Sequence, residues 1–166
     1  MDLDLYRSVA SDGYLAGIGR CSVADLRRMR AECQSLEDEV SLDRRMVQGH
    51  LDIVRHELDH RRAGGAALDD ASRVGSLAEV LSGEGRSTGL AEVDEFAELD
   101  PHLADAVAAL SDLSEPAVES LHDHLRDAER VLSKRRRRLF DRIDTLADEL
   151  TRRYRWGEAS VDTLLG

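Results

Sequence analysis

From Ser22 to about Arg62, apolar side chains recur at intervals of three and four: Met29, Cys33, Leu36, Val40, Val47, Leu51, Val54 and Leu58. That spacing predicts a helix with one apolar seam. Ser22 opens SVAD, an N-cap followed three residues later by an acid, and Gly64-Gly65 closes the run as a C′ glycine does. A second run starts at Ser114 in SEPA, with Pro116 in its first turn, and continues to about Tyr154. Each helix would hold about 40 residues and span about 60 Å. Two long helices of matched length predict an all-α fold: an antiparallel two-helix coiled-coil hairpin with a short, partly helical connector. The expected segments are a flexible N-terminal stretch (1–21), a first long helix (22–63), the connector (64–113), a second long helix (114–155) and a tail (156–166).

The two helices are copies of one pattern. An offset of 92 residues places Ser22 on Ser114, Glu37 on Glu129, Ser41 on Ser133, Arg44 on Arg136, Asp52 on Asp144 and Leu58 on Leu150. Seam positions match too, as in Cys33/Leu125, Val40/Leu132, Val47/Leu139 and Leu51/Ile143. Any two heptad helices can share an apolar register, but coincident caps and polar positions require more, and point to a structural duplication.

In the connector, VGSLAEVLSG (74–83) and PHLADAVAALSDL (101–113) predict short helices, separated by the Gly/Ser/Thr-rich GEGRSTG. Helix 1 carries a second apolar line, Leu42, Met46 and Ile53, away from its seam. Cys21 and Cys33 are too few for a disulfide framework, and Cys33 on the apolar stripe reads as a buried thiol.

Composition agrees with long charged helices: 34% charged, 4% aromatic, two prolines in 166 residues. The net charge of −11 argues against direct DNA binding, yet it is unevenly placed. Residues 64–113 carry eleven acids against Arg73 and Arg86, whereas 134–138 reads KRRRR. The acids Asp94, Glu95 and Glu98 suggest a surface that meets a basic partner. No membrane-spanning run and no signal peptide are present in MDLDLYRSVASD, so a cytoplasmic protein with no membrane partner is expected.

Candidate chemistry lies in the polar series Glu37, Ser41, Arg44, Gln48 and Asp52, at intervals of 4, 3, 4 and 4. These positions fall within an arc of roughly 80° that flanks the seam. The set suits a guanine nucleotide. A carboxylate accepts from the N1–H and N2–H of guanine, arginine forks onto O6/N7 or phosphate, and Ser and Gln complete the hydrogen bonding. In the second copy Glu129, Ser133, Arg136 and Asp144 recur, with Phe140 in the place of the glutamine. A phenyl ring there can stack on a base. Lys134, Arg135 and Arg137 add charge for phosphates.

The doubled Glu-x3-Ser-x2-Arg-x3-Gln-x3-Asp pattern on a helical hairpin resembles the RsiG family of actinobacterial anti-sigma factors controlled by cyclic di-GMP. The resemblance covers about 22–62 and 114–154 and is complete in the first copy; the second departs only at Phe140. It implies that the nine matching residues hold a cyclic di-GMP dimer; Lys134, Arg135 and Arg137 by their charge, and Phe140 by its ring, are candidate auxiliary contacts beside that set. It further implies that the loaded protein sequesters WhiG, a sigma factor for sporulation or motility genes.

Two other readings compete. One is a plain coiled-coil scaffold without a ligand. The other rests on HELDH at 56–60, which matches the zinc-protease pattern with His56 and His60 as ligands and Glu57 as general base. No His-x-x-Gly-x-x-His extension follows, so that only Glu79 has a tempting spacing for a third ligand; no strand precedes the pattern, and both histidines lie well off the seam. Nor is there a phosphate loop, a GxSxG elbow or a dinucleotide-binding fingerprint. Neither a metal nor an enzymatic activity is expected.

Overall fold

Ser22 caps its helix as SVAD predicts. Its hydroxyl accepts from the Asp25 backbone N–H (3.1 Å) and donates to the Asp25 carboxylate (2.7 Å). The Ser22 hydrogen bond, assisted by Arg28, holds the Asp25 carboxyl below its ordinary value. In the computed structural model, which describes residues 2–64 and 94–156, this helix is α2 (Val23–Arg62). It ends at Gly64, whose φ of 84° is the left-handed conformation that glycine adopts without strain. Its partner α4 spans Glu115–Arg155. The remaining helices are α1 (Leu3–Ala10) and α3 (Leu103–Ala108), with single 3-10 turns at Ile18–Arg20 and Leu110–Asp112. Among the described residues there is no strand. The fold is all-α, built on two long helices packed as a hairpin.

The chain forms two compact units, each taking half of α2 and half of α4: Met1–Ser41 with Lys134–Gly166, and Leu42–Ser133. In the first unit the seam residues Leu26, Cys33, Leu36 and Val40 of α2 are buried, as are Leu139, Ile143, Leu146 and Leu150 of α4. Burying each large aliphatic side chain contributes roughly 1.5–3 kcal/mol. The antiparallel pairing places Arg27 against Tyr154, its Nη2 donating to the phenol oxygen.

Where the sequence predicts a flexible 1–21 segment, the structure has α1, N-capped by the Asp2 carboxylate, with Tyr6 and Val9 fully buried. An eight-residue helix is too short to display a sustained period, and its partners are remote in sequence. The Arg135 guanidinium lies 5.5 Å from the centre of the Tyr6 ring. Arg142 Nη2 donates to the carbonyls of Ala10 and Ser11, both at 3.0 Å. Cys33 is buried, as its place on the stripe predicts, and burial raises its thiol pKa.

In the second unit α3 and the following 3-10 turn lay Leu103, Val107 and Leu110 onto Val54 and Leu58 of α2 and Val118, Leu121, Leu125 and Ala128 of α4. The expected helix in 101–113 is therefore present, and it belongs to the core. The helix expected at 74–83 and the GEGRSTG stretch lie outside the described residues. Glu95, expected on an acidic surface, is buried at 4% exposure. Of the second apolar line, Leu42 and Met46 are exposed, whereas Ile53 packs against this core.

Each unit is fastened by the same device. Arg153, buried on α4, donates to the carbonyls of Ile18 (3.0 Å) and Cys21 (2.6 Å) and to the Glu149 carboxylate (2.8 Å). Arg61 on α2 donates to the carbonyls of Leu110 (3.0 Å) and Leu113 (2.7 Å) and pairs with Glu57. All four correspondences, Glu57/Glu149, Arg61/Arg153, Ile18/Leu110 and Cys21/Leu113, keep the 92-residue offset. The duplication thus extends to how each long helix is tied to the turn preceding the other.

Candidate ligand-binding site: two arginine–glutamate–serine clusters

On α2 a four-residue step brings Ser41 beneath Glu37, and on α4 the same step brings Ser133 beneath Glu129. Each serine hydroxyl donates to its glutamate's Oε1, at 2.5 Å and 2.8 Å respectively. The arginine that completes each cluster comes from the other helix. In the first unit Arg136 Nε donates to Glu37 Oε1 (3.0 Å) and Ser41 Oγ (2.9 Å). In the second, Arg44 Nε donates to Glu129 Oε1 (3.0 Å) and Ser133 Oγ (2.9 Å). The two motif copies are therefore interlocked: glutamate and serine of one copy receive the arginine of the other.

Burial separates the roles of the charges. Glu37 and Glu129 are 6% and 7% exposed, so each carboxylate is desolvated and depends on its arginine and serine for compensation. The arginine side chains are more open, at 39% for Arg136 and 28% for Arg44. Only the Nε of each is engaged; among the described residues neither Nη group of Arg44 or Arg136 has a hydrogen-bond partner. Each cluster thus has a buried anion and a cation whose fork faces solvent. Such a fork matches phosphate or the O6/N7 edge of guanine.

The fourth motif position distinguishes the clusters. Gln48 donates from Nε2 to Glu129 Oε1 at 3.3 Å, adding a third hydrogen bond to that carboxylate. Its counterpart Phe140 instead lies under Arg136, with the guanidinium carbon 4.7 Å from the ring centre. In that unit it is Gln34, one turn before the motif, that approaches Glu37 Oε2 at 3.4 Å. Asp52 lies in the second unit and is half-buried; burial raises its carboxyl pKa, opposed by Arg55. Asp144 is exposed in the first unit. Among the described residues neither aspartate makes a hydrogen bond to its cluster.

The basic block is divided by the helix. Lys134 and Arg137 are exposed, Arg136 enters the cluster, and Arg135 is 3% exposed against Tyr6. Of the auxiliary positions, Arg135 therefore holds α1 in place, and Phe140 sits beside the first-unit cluster. The HELDH segment is similarly divided: His56 is exposed, while Glu57 is 1% exposed and bound to Arg61. A carboxylate so enclosed has no path to act as general base.

No described helix is long and apolar enough to cross a membrane. A comparison with curated proteins gives no match. A scan against protein families matches the RsiG-like family over residues 12–81 and 104–166, ranges that take in both long helices and all nine motif residues. A hairpin bearing the signature in full once and again with Phe140 for the glutamine, matched over most of its length, belongs to the RsiG-like family of regulatory anti-sigma factors.

Proposed function

We propose that this chain binds cyclic di-GMP at the two arginine–glutamate–serine clusters and, so loaded, sequesters a WhiG-like sigma factor. The observation that carries the reading is the interlock: each cluster needs one residue from one motif copy and two from the other. Because each cluster joins α2 to α4 within its own unit, a ligand seated on the Nη fork of either arginine makes its affinity depend on the paired state of the long helices there. By linkage, the same differential affinity is returned to any partner that recognises that state. The ligand chemistry fits. Cyclic di-GMP presents phosphates and guanine edges, and both take a forked guanidinium.

Calorimetric titration with cyclic di-GMP, alone and with a WhiG-like sigma factor, tests the proposal. Binding is expected with an integer ligand count, two per chain if the dinucleotide enters as a dimer. Arg44→Ala and Arg136→Ala should each weaken it by more than about 30-fold, the scale for removing one partner of a desolvated charge pair. Capture of the sigma factor should require the ligand. Absence of heat both with and without the sigma factor refutes the reading.

A further inference from the structure

The duplication repeats the plan of each unit's end but inverts its charge. In the first unit, residues 18–30 and 149–156 meet where α2 starts and α4 finishes, joined by Arg153 to the carbonyls of Ile18 and Cys21 and by Arg27 to the Tyr154 phenol. These stretches hold seven arginines and two acids, whereas their copies at the 92-residue offset, 110–122 and 57–64, hold two arginines and five acids. Arg20 and Arg27 stand where the copy has Asp112 and Glu119, and Trp156 where it has Gly64. In the second unit Glu119 accepts from Arg62 Nη2 at 3.1 Å, an ion pair. At the same place in the first unit Arg27 donates from Nε (3.2 Å) and Nη2 to a neutral phenol, so the cation is fixed without an anion. An ion pair and a glycine serve the fold at these positions in the copy, so packing does not call for the arginines or the indole. Both acids at this end are already engaged, Asp25 by Arg28 (2.8 Å) and Glu149 by Arg152 and Arg153 (both 2.8 Å). Arg20, Arg30 and Arg155 are exposed, and among the described residues their guanidinium groups make no ion pair or hydrogen bond. Next to Arg155, Trp156 is 75% exposed.

We infer that this end of the first unit binds single-stranded nucleic acid, with Arg20, Arg27, Arg30 and Arg155 meeting phosphates and Trp156 stacking on a base. Forked guanidinium groups match phosphate oxygens, and an exposed indole offers its face to any base that is not already stacked in a duplex. The chain's net charge of −11 does not oppose an anion here. Residues 42–133 carry all of it, while the first unit, 1–41 with 134–166, holds fourteen basic and fourteen acidic residues. The inference stands apart from the cyclic di-GMP reading, since none of these residues belongs to either arginine–glutamate–serine cluster.

Trp156 is the sole tryptophan of the chain, so the protein's own fluorescence reports on the site. Titration of the full chain with oligothymidylate and, separately, oligouridylate of about 12 nucleotides should quench it, the tighter strand identifying the preferred sugar. Four phosphate contacts give a slope of log K against log salt of about −2.8, or about 50-fold weaker binding at about 200 mM salt than at about 50 mM. Read by the anisotropy of a labelled strand, Trp156→Leu should weaken binding about tenfold, and Trp156→Phe, which keeps an aromatic face, by less. Arg20→Asp combined with Arg30→His installs the second unit's residues and should reduce the slope to about −1.4. The thermal midpoints of these variants should match the wild type, because the side chains are exposed. Three results overturn the inference: quenching by neither strand, equal affinity of Trp156→Leu and the wild type, or a polyglutamate of the same charge binding as tightly as the oligonucleotides. None of the three bears on calorimetry with cyclic di-GMP, so the two proposals fail separately.

Discussion

The interlocked pairing is testable without any ligand. Arg44 Nε stands 3.0 Å from Glu129 Oε1, with side-chain exposures of 28% and 9%. An exposed ion pair couples by about 0.2–1 kcal/mol, whereas hydrogen bonds to charged groups contribute about 1.5–3 kcal/mol. One partner here is buried and the other partly open, so a coupling of about 1.5 kcal/mol is expected. A double-mutant cycle of Arg44→Ala and Glu129→Gln, read by urea unfolding, isolates that term. The Arg62–Glu119 pair, 3.1 Å apart but 57% and 51% exposed, gives the comparison within the same unit. Its coupling should stay at or below about 0.5 kcal/mol. Because a chain of this length shifts its Tm by about 2–4 °C per kcal/mol, Glu129→Gln alone should be visible in a thermal scan. A coupling for Arg44–Glu129 no larger than that for Arg62–Glu119 would refute the cross-copy cluster.

Arg61→Ala removes the guanidinium that donates to the Glu57 carboxylate, 1% exposed, and to the carbonyls of Leu110 and Leu113. It should cost about 3–5 kcal/mol, or about 10 °C in Tm, and Arg61→Lys should recover less than half, since an ammonium cannot fork to three acceptors. A loss under about 1 kcal/mol would show that the contact is not closed in solution. Hydrogen bonds from Arg152 and Arg153 hold the Glu149 carboxyl down at about 2, against an ordinary 4.5. The unfolded chain therefore takes up this proton at the higher pH. The stabilisation is complete above about pH 4.5 and is lost as pH falls towards 2. Urea midpoints should decline more steeply across that window in the wild type than in Glu149→Gln; parallel declines would remove Glu149 as the cause.

The hairpin was legible because its signal is repetitive: seam residues every three or four positions, Ser22 and Gly64 as punctuation, and a second copy at fixed offset. Helix α1 was not, because about two turns of amphipathic pattern are indistinguishable from chance, and its partners Arg135 and Arg142 lie on the last helix. Sequence spacing identified the motif residues but grouped them by copy, since a helical wheel reports only neighbours on one helix. That Arg44 answers Glu129, and Arg136 answers Glu37, depends on the register between helices, which no single-helix pattern encodes. The Arg61 and Arg153 ties were missed for a different reason. Glu57 was read within HELDH, although its match to Glu149 at the 92-residue offset was available as a signal for a structural role.

The way each cluster divides its arginine has a consequence for the speed and cost of recognition. A free arginine side chain loses up to about 2 kcal/mol of rotamer entropy when a ligand fixes it. Here the Nε contacts to glutamate and serine have already restricted Arg44 and Arg136, while leaving their outer nitrogens exposed. An anion arriving at either fork meets a donor array that is preorganised, and little ordering remains to be done at the moment of contact. Removing Ser41 or Ser133 would then act on the ligand at a distance, by returning to the guanidinium a freedom that the folded hairpin has taken away.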